Sequence, residues 1–379
     1  MMMVRINAPW SGALFLLAGL FLLSACDDSR VAGPEAAQSP VSIGMMRLDY
    51  SDPARPSWAS RDEARPVNAW IWYPAADAAV AESFDIPSDK PVFIGGRAIR
   101  DAQIAPGRHP LIVLSHGTGG SAFQMMWLGR RLAEAGYVAA AIDHHGNTAA
   151  EDEFDPRGFL YVWERPRDIS FLISEILADP QFSESLDSQR IGAAGFSLGG
   201  YSVTATLGGR IDLERFAAFC ASSEADNTCL PQTEYPDVEE DLEALLQSDP
   251  SAAPEKEASA ASYRDDRIKA AAVMAPAIVQ MFSDESLSEI DAPLLILAGQ
   301  ADEVAPVATN AQRLADAVSN AEMNIYSDAG HYVFLNACTS RGKRYVPVCK
   351  DASSVDRVAI HEDAAAQIES HFDSVFAME

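Results

Sequence analysis

The chain has 379 residues, 48% of them hydrophobic, and a formal net charge of −27 from 55 Asp plus Glu against 28 Lys plus Arg. That length and apolar content support one large domain with insertions or two small ones. A surface this acidic repels phosphate backbones, and no Lys/Arg-rich run offsets it, which argues against a nucleic-acid partner. In chain order, Val41 to Tyr50 and Val67 to Tyr73 read as opening strands. Leu111 to Ser115 is a short, almost wholly apolar run, the pattern of a strand buried on both faces. A helix is predicted over Ala122 to Ala135, stopped by Gly136, and a buried strand over Tyr137 to Ile142. Arg165 to Leu177 reads as a helix, and Arg190 to Ala194 as a strand. Ile268 to Met274 and Leu294 to Leu297 are further apolar strand-like runs, and Asn324 to Tyr326 is the last strand. Val307 to Val318 and Asp363 to Phe376 are helical by period. Strands alternating with helices at these spacings predict an α/β fold, a mostly parallel central sheet flanked by helices.

The N-terminus reads as a targeting segment. Arg5 is the only charge ahead of an apolar run from Ala13 to Leu23, which is shorter than the ~20 residues needed to cross a bilayer. The run ends in Leu23-Ser24-Ala25-Cys26, which resembles the lipobox of bacterial lipoproteins. The resemblance implies a signal peptide over 1–25, lipid on Cys26, and a location on the periplasmic face of the cell envelope. Residues 26–40, with Pro34 and Pro40, then form a polar tether to a domain spanning 41–377. Four cysteines remain, Cys220, Cys229, Cys338 and Cys349, and an even number in an exported chain suggests two disulfides. Three pairings are open; short loops favour Cys220–Cys229 with Cys338–Cys349. No cysteine has the spacing of a metal site, and no cofactor motif is present.

Residues 209–266 interrupt the strand–helix rhythm with 15 Asp plus Glu against 4 Lys plus Arg. They read either as a cap over a site or as a solvated acidic loop.

The chemistry concentrates in Gly195-Phe196-Ser197-Leu198-Gly199-Gly200. A strand-like run precedes it and a helical pattern, Tyr201 to Leu207, follows, which sets a serine at the apex of a strand–turn–helix. A serine hydroxyl is a weak nucleophile at neutral pH and needs a base, itself oriented by a carboxylate. His331, in the loop after the last predicted strand, is the candidate base. Asp302, in the turn after Leu294 to Gly299, is the candidate acid, with Glu303 as its neighbouring competitor and helix capping as its structural alternative. An oxyanion needs N–H donors. Leu198 supplies one; the loop His116-Gly117-Thr118-Gly119-Gly120 supplies the second from Thr118, with Gly117 as rival. His116 reads as a structural hydrogen bonder. Asp143, His144 and His145 sit at a strand exit where either substrate contact or loop bonding is open. Phe123, Met125, Met126 and Trp127 read equally as an acyl pocket or as core.

On these motifs, together with Ala275-Pro276-Ala277 and Gly330 to Leu335, the chain resembles the α/β-hydrolase superfamily. Within it, the chain is similar to the dienelactone-hydrolase group related to platelet-activating-factor acetylhydrolases. The resemblance implies an α/β-hydrolase fold and a serine carboxylic-ester hydrolase acting on small or short-chain esters, without cofactor or metal. The alternatives are a phospholipase-like acetylhydrolase of short or oxidised acyl chains and a non-catalytic envelope lipoprotein with a binding role. Two departures matter. Dienelactone hydrolases use cysteine where this chain has Ser197. The acetylhydrolases place their acid earlier, where this chain has no carboxylate before Asp284.

Overall fold

In the computed structural model, residues 42–76, 79–231, 233–253 and 256–377 are described. Val41, the predicted signal segment, Cys26 and the tether lie outside them. The strands are β1 (Ile43–Pro56), β2 (Ala64–Pro74), β3 (Glu82–Ser83), β4 (Arg97–Arg100), β5 (His109–Ser115), β6 (Val138–Asp143), β7 (Leu186–Phe196), β8 (Ile268–Met274), β9 (Leu294–Gly299) and β10 (Ala321–Tyr326). They form one ten-stranded sheet in the order β10-β9-β8-β7-β5-β6-β2-β1-β4-β3. From β10 to β6 every pairing is parallel; β2 joins β6 and β1 antiparallel.

Alternation along each central strand feeds two cores. On β5, Leu111 and Val113 point to one face and Ile112 and Leu114 to the other, all fully buried. The first face is covered by α3 (Glu164–Ala178), through Ile169 and Leu172, and by the helix after β7. The second is covered by α1 (Met126–Glu134) and by the C-terminal α11 (Arg357–Phe376), through Leu128, Leu132, Ile368 and Phe372. Burying one such aliphatic or aromatic side chain contributes about 1.5–3 kcal/mol, so the two-faced sheet is the main source of stability. The chain leaves β5 to form β6 on one side and returns to form β7 on the other. This reversal opens a crevice at the carboxyl ends of β5 and β7, where ligands of open α/β sheets bind.

Several boundaries differ from the sequence expectation. β1 continues to Pro56, because it pairs with β2 along nearly its whole length. The helix expected from Val307 begins only at Ala311, as α9 (Ala311–Ala317), because Val307 to Asn310 form turns. α11 starts six residues before Asp363, where Asp356 caps it by accepting from the Val358 and Ala359 amides. β3 and β4 were not foreseen; at two and four residues they carry too little periodicity. Residues 209–266 include three helices, α5 (Leu213–Cys220), α6 (Val238–Ser248) and α7 (Lys256–Ala260). Short helices α2 (Pro156–Leu160), α8 (Asp284–Ser288) and α10 (Ser340–Tyr345) complete the set named here, with α4 (Leu198–Thr206) following β7. Cys220–Cys229 and Cys338–Cys349 are each joined, with S–S separations of 2.02 and 1.99 Å, in the pairing that short loops favour. Among the described residues, no helix is long and apolar enough to cross a membrane.

Candidate active site

Ser197 occupies the turn between β7 and α4 with φ 55° and ψ −119°, a conformation costly for a residue with a side chain. The surroundings enforce it. Ser197 N donates to Met274 O at 2.9 Å, and Ala277 N donates to Ser197 O at 3.1 Å. A Cβ on Gly195 would lie 2.2 Å from Gly199 O, and one on Gly199 would lie 1.9 Å from Ser115 O. Only glycine fits at either position, so the sequence pattern follows from the turn.

The three residues singled out for nucleophile, base and acid come together from three loops. His331 Nε2 lies 2.9 Å from Ser197 Oγ, and His331 Nδ1 lies 2.7 Å from Asp302 Oδ2. All three are buried. Asp302 is held in turn, because its Oδ1 accepts from the amides of Val304 at 2.9 Å and Ala305 at 2.7 Å. The capping role and the histidine contact are thus carried by different oxygens of one carboxylate. Glu303, the competitor, is exposed, and its backbone carbonyl accepts from Asn227. The carboxylate nearest the earlier acid position, Asp284, has other partners. Asp284 is bound by Arg215 at 3.0 Å and Arg313 at 2.7 Å, in a cleft under α5 that no triad residue lines.

The oxyanion loop approaches the elbow closely: a Cβ on Gly117 would lie 3.1 Å from Ser197 Cβ. His116 is fully buried beneath it. Burial, then the neighbouring Arg165 charge, holds its pKa well below the ordinary value, so it is neutral. Its Nε2 accepts from the His144 amide at 3.2 Å, which leaves Nδ1 protonated to donate to Gly117 O at 2.6 Å. In a trans peptide the N–H points away from the carbonyl, so fixing Gly117 O turns the Thr118 N–H away from His116. Gly119 N is already committed to Asn147 Oδ1 at 2.6 Å, which removes it as an oxyanion donor. Leu198 N, at the first position of α4, is one of the helix-start amides that have no partner within the helix.

The sequence reading left Asp143, His144 and His145 open; all three bond neighbouring loops. Asp143 Oδ1 accepts from Ala122 N at 2.7 Å and Thr148 Oγ1 at 3.1 Å, and burial raises its pKa to about 6. His145 bridges Glu151 at 2.7 Å and the Trp58 amide at 3.0 Å. His144 accepts from Ser115 Oγ at 2.9 Å and faces Asp168 at 3.2 Å; burial lowers its pKa to about 3. Met125, Met126 and Trp127 are core: Trp127 donates to Phe334 O at 2.9 Å and stacks on His361. Phe123, half-buried, packs against Trp70.

What sequence reasoning missed is the charged floor under these loops. Arg165, 2% exposed, donates to His116 O and, through Nε at 2.9 Å, to Ser202 Oγ on α4. Asp168 pairs with Arg55 at 2.7 Å and Arg65 at 2.8 Å. Burial alone would raise its pKa, but the two guanidiniums hold it well below the carboxylate range. Arg165 and Asp168 share a helix at i, i+3, a signal present in the sequence but common on exposed helices.

The insertion reaches the site. Asn227 Nδ2 donates to Glu303 O at 2.6 Å, and Tyr332 OH donates to Glu234 Oε1 at 3.3 Å. Asn227 therefore contacts the acid loop, and Glu234 the histidine loop.

Comparisons agree with this geometry at the level of family and fold. The chain is similar over 91% of its length to 92% of a ferulic acid esterase from Streptomyces cinnamoneus, with a TM-score of 0.59 and 20% identity, a likeness of fold. No curated protein matches the chain. The model of the alpha/beta hydrolase family matches residues 112–346, which run from β5 through the serine, aspartate and histidine loops, and the chain belongs to that family.

Proposed function

We propose that the protein is a serine carboxylic-ester hydrolase acting on small or short-chain esters. The observation that carries the reading is the relay of 2.9 Å from Ser197 Oγ to His331 Nε2 and 2.7 Å from His331 Nδ1 to Asp302. In this mechanism Ser197 Oγ attacks the ester carbonyl while His331 Nε2 takes its proton. The amides of Leu198 and Thr118 donate to the oxyanion. His331 returns the proton to the leaving alkoxide, and the acyl group stays on Ser197. Water, deprotonated by His331, then attacks the acyl carbon, and His331 returns that proton to Ser197 Oγ as the bond to the serine breaks and the carboxylate leaves. Asp302 keeps the proton on Nδ1 and stabilises the imidazolium. The chain uses serine where dienelactone hydrolases use cysteine, and its carboxylate follows β9 rather than the β8 exit, so a plain esterase fits better than a lactonase or an acetylhydrolase. The assembled relay speaks against a purely binding lipoprotein.

The same reading extends to location. The apolar run ending in Cys26, followed by a polar tether, supports a lipid anchor on the periplasmic face of a bacterial envelope, and two disulfides suit an oxidising compartment.

The test is hydrolysis of p-nitrophenyl acetate, butyrate and octanoate by the purified protein, with fluorophosphonate labelling mapped by mass spectrometry. Turnover of the shorter esters and a single label on Ser197 are expected. No turnover, or a label elsewhere, refutes the proposal.

A further inference from the structure

Asp226 and Asn227 lie at the acid loop, and Glu234 lies at the proposed oxyanion loop. Near Asp302, Asn227 holds Glu303 O, and Asp226 accepts from Thr309 Oγ1 and from Gln280 Nε2 at 3.3 Å. Cys229 ties the segment to the end of α5. At the other end stands Glu234. Tyr332 OH donates to its Oε1 at 3.3 Å, and Tyr332 directly follows His331, ring centroids 5.2 Å apart. A Cβ on Gly119, the residue after Thr118, would lie 3.1 Å from Glu234 Cβ and 3.5 Å from Phe154 Cζ. Glu234 thus sits between the loop of the base and the loop of the oxyanion donor. Burial, reinforced by this carboxylate, raises the Tyr332 pKa and keeps its hydroxyl a donor. Among the described residues no Lys, Arg or His pairs with Glu234, and its side chain is exposed. Beside it, Phe154, Phe159 and Tyr235 form a packed aromatic group with centroids 4.9–6.0 Å apart.

We propose that Glu234 selects the alcohol portion of the ester by charge, favouring an alcohol that carries an ammonium group and disfavouring one that carries a carboxylate. The proposal rests on the esterase reading and names its substrate class. His331 must hand its proton to the leaving oxygen, so the alcohol departs on the side flanked by His331 and Tyr332, where Glu234 is held. An uncompensated carboxylate there attracts a cation. The effect is moderate because the group is exposed and screened by salt over ~8–10 Å near physiological ionic strength.

The experiment compares kcat/KM for three acetyl thioesters, of thiocholine, of its uncharged tert-butyl isostere and of mercaptopropionate, by thiol release at low and high salt. At low salt the cationic ester should exceed the neutral one about fivefold, and the anionic one should fall below it by a similar factor. A fivefold change corresponds to about 1 kcal/mol, the size of one charge pair near contact in water. High salt should compress both ratios. Glu234→Gln should bring them to within about twofold of unity, and Glu234→Lys should reverse their order. Glu243→Gln, on an exposed turn of α6, should keep the wild-type ratios. Equal rates for the three esters at low salt, or ratios that survive Glu234→Gln, overturn the proposal. Hydrolysis of the neutral thioester that persists in Ser197→Ala overturns the esterase reading instead, whatever the charge ratios.

Discussion

Replacing Asp302 by Asn tests the relay more sharply than removing the serine, because the shape of the site is preserved. Oδ1 of Asp302 serves two backbone amides and Oδ2 serves His331 Nδ1. An Asn that keeps its carbonyl on the amides must present NH2 to Nδ1. The imidazole then carries its proton on Nε2, facing Ser197, and cannot accept the serine proton. If the side chain flips, NH2 faces the amides of Val304 and Ala305 and the turn loses its cap. Two losses add up. The imidazolium of the transition state loses a carboxylate whose charge lies roughly 4 Å away, about 4 kcal/mol at the effective dielectric of a partly buried pair. Disfavouring the productive tautomer costs about one further hydrogen bond, ~1 kcal/mol. The sum, about 5 kcal/mol, corresponds to a fall of nearly 10⁴-fold in kcat/KM. The assay is hydrolysis of p-nitrophenyl acetate at neutral pH, with circular dichroism to verify folding. A folded Asp302→Asn protein with more than a tenth of wild-type activity would refute the relay, as would a larger loss from Glu303→Gln.

Ser197→Ala should abolish ester hydrolysis, a loss on the order of 10⁴-fold or more, with the melting temperature nearly unchanged because alanine keeps the Cβ and the strained backbone and loses only the hydroxyl's bond to His331; burst-free kinetics and calorimetry check both. Acid should destabilise the fold through buried neutral histidines. Burial lowers His361 to about 4 and His144 to about 3, so the unfolded chain binds more protons below the ordinary value of about 6.5, and stability should fall as pH drops from there toward 4 and below. Asp143, raised to about 6, acts in the opposite direction between roughly 4 and 6 and flattens that part of the curve. Melting temperature against pH checks the sign, and His361→Gln, which can still donate to Val333 O, should reduce the slope. Replacing Cys338 and Cys349 together by serine should cost up to about 3 kcal/mol in the loop-closure view. It should lower activity more than the Cys220/Cys229 pair of changes, because the bridge begins seven residues after His331; equal losses from the two pairs would contradict this.

The relay was legible because its members carry local signals. Ser197 is bracketed by glycines that the turn demands, and Asp302 follows the apolar, fully buried run of β9, whereas His331 follows the mixed, half-exposed β10 and was marked by its Gly330-His331 loop rather than by burial. The central strands β5, β6, β8 and β9 were legible for the same reason: on a two-faced parallel sheet every position is apolar, so the run itself marks the strand. Periodicity failed where pairing, not burial, defines the element. β4 has only two buried residues, Ala98 and Ile99, and exists because it adds to β1 at Gly44 and Met45. It failed differently at residues 209–266. The acidic content reported solvent exposure correctly, and α5 buries no residue at all. Whether that exposed segment lay over the site depended on single contacts, Asn227 with Glu303 and Glu234 with Tyr332, which no pattern encodes. His116 was read correctly as structural, but its partner Arg165, 49 residues away, was not legible.

That partner explains how the two proposed oxyanion donors, one on a helix and one on a loop, keep register. Leu198 N belongs to α4 and Thr118 N to the loop after β5, and a tetrahedral oxygen needs both within about 2.7–3.1 Å. Ser202 Oγ donates to Leu198 O at 2.9 Å and receives Arg165 Nε at 2.9 Å. The same guanidinium donates to His116 O, and His116 in turn holds Gly117 O, the carbonyl of the peptide that carries the Thr118 N–H. One rigid fork therefore clamps the start of α4 to the start of the oxyanion loop, a geometry a lysine ammonium on a flexible stem does not reproduce. Its charge is costly where it is buried, and Asp168, one turn along α3, is the carboxylate that offsets it. His144 links the two levels, facing Asp168 through Nδ1 and Ser115 through Nε2 while its amide fixes His116. The strain concentrated at Ser197 thus has a counterpart below it. The loops proposed to perform chemistry are short and glycine-rich, and a buried polar layer supports them: Arg165 bonds Ser202 and His116, and Asp168 bonds Arg55, Arg65 and His144.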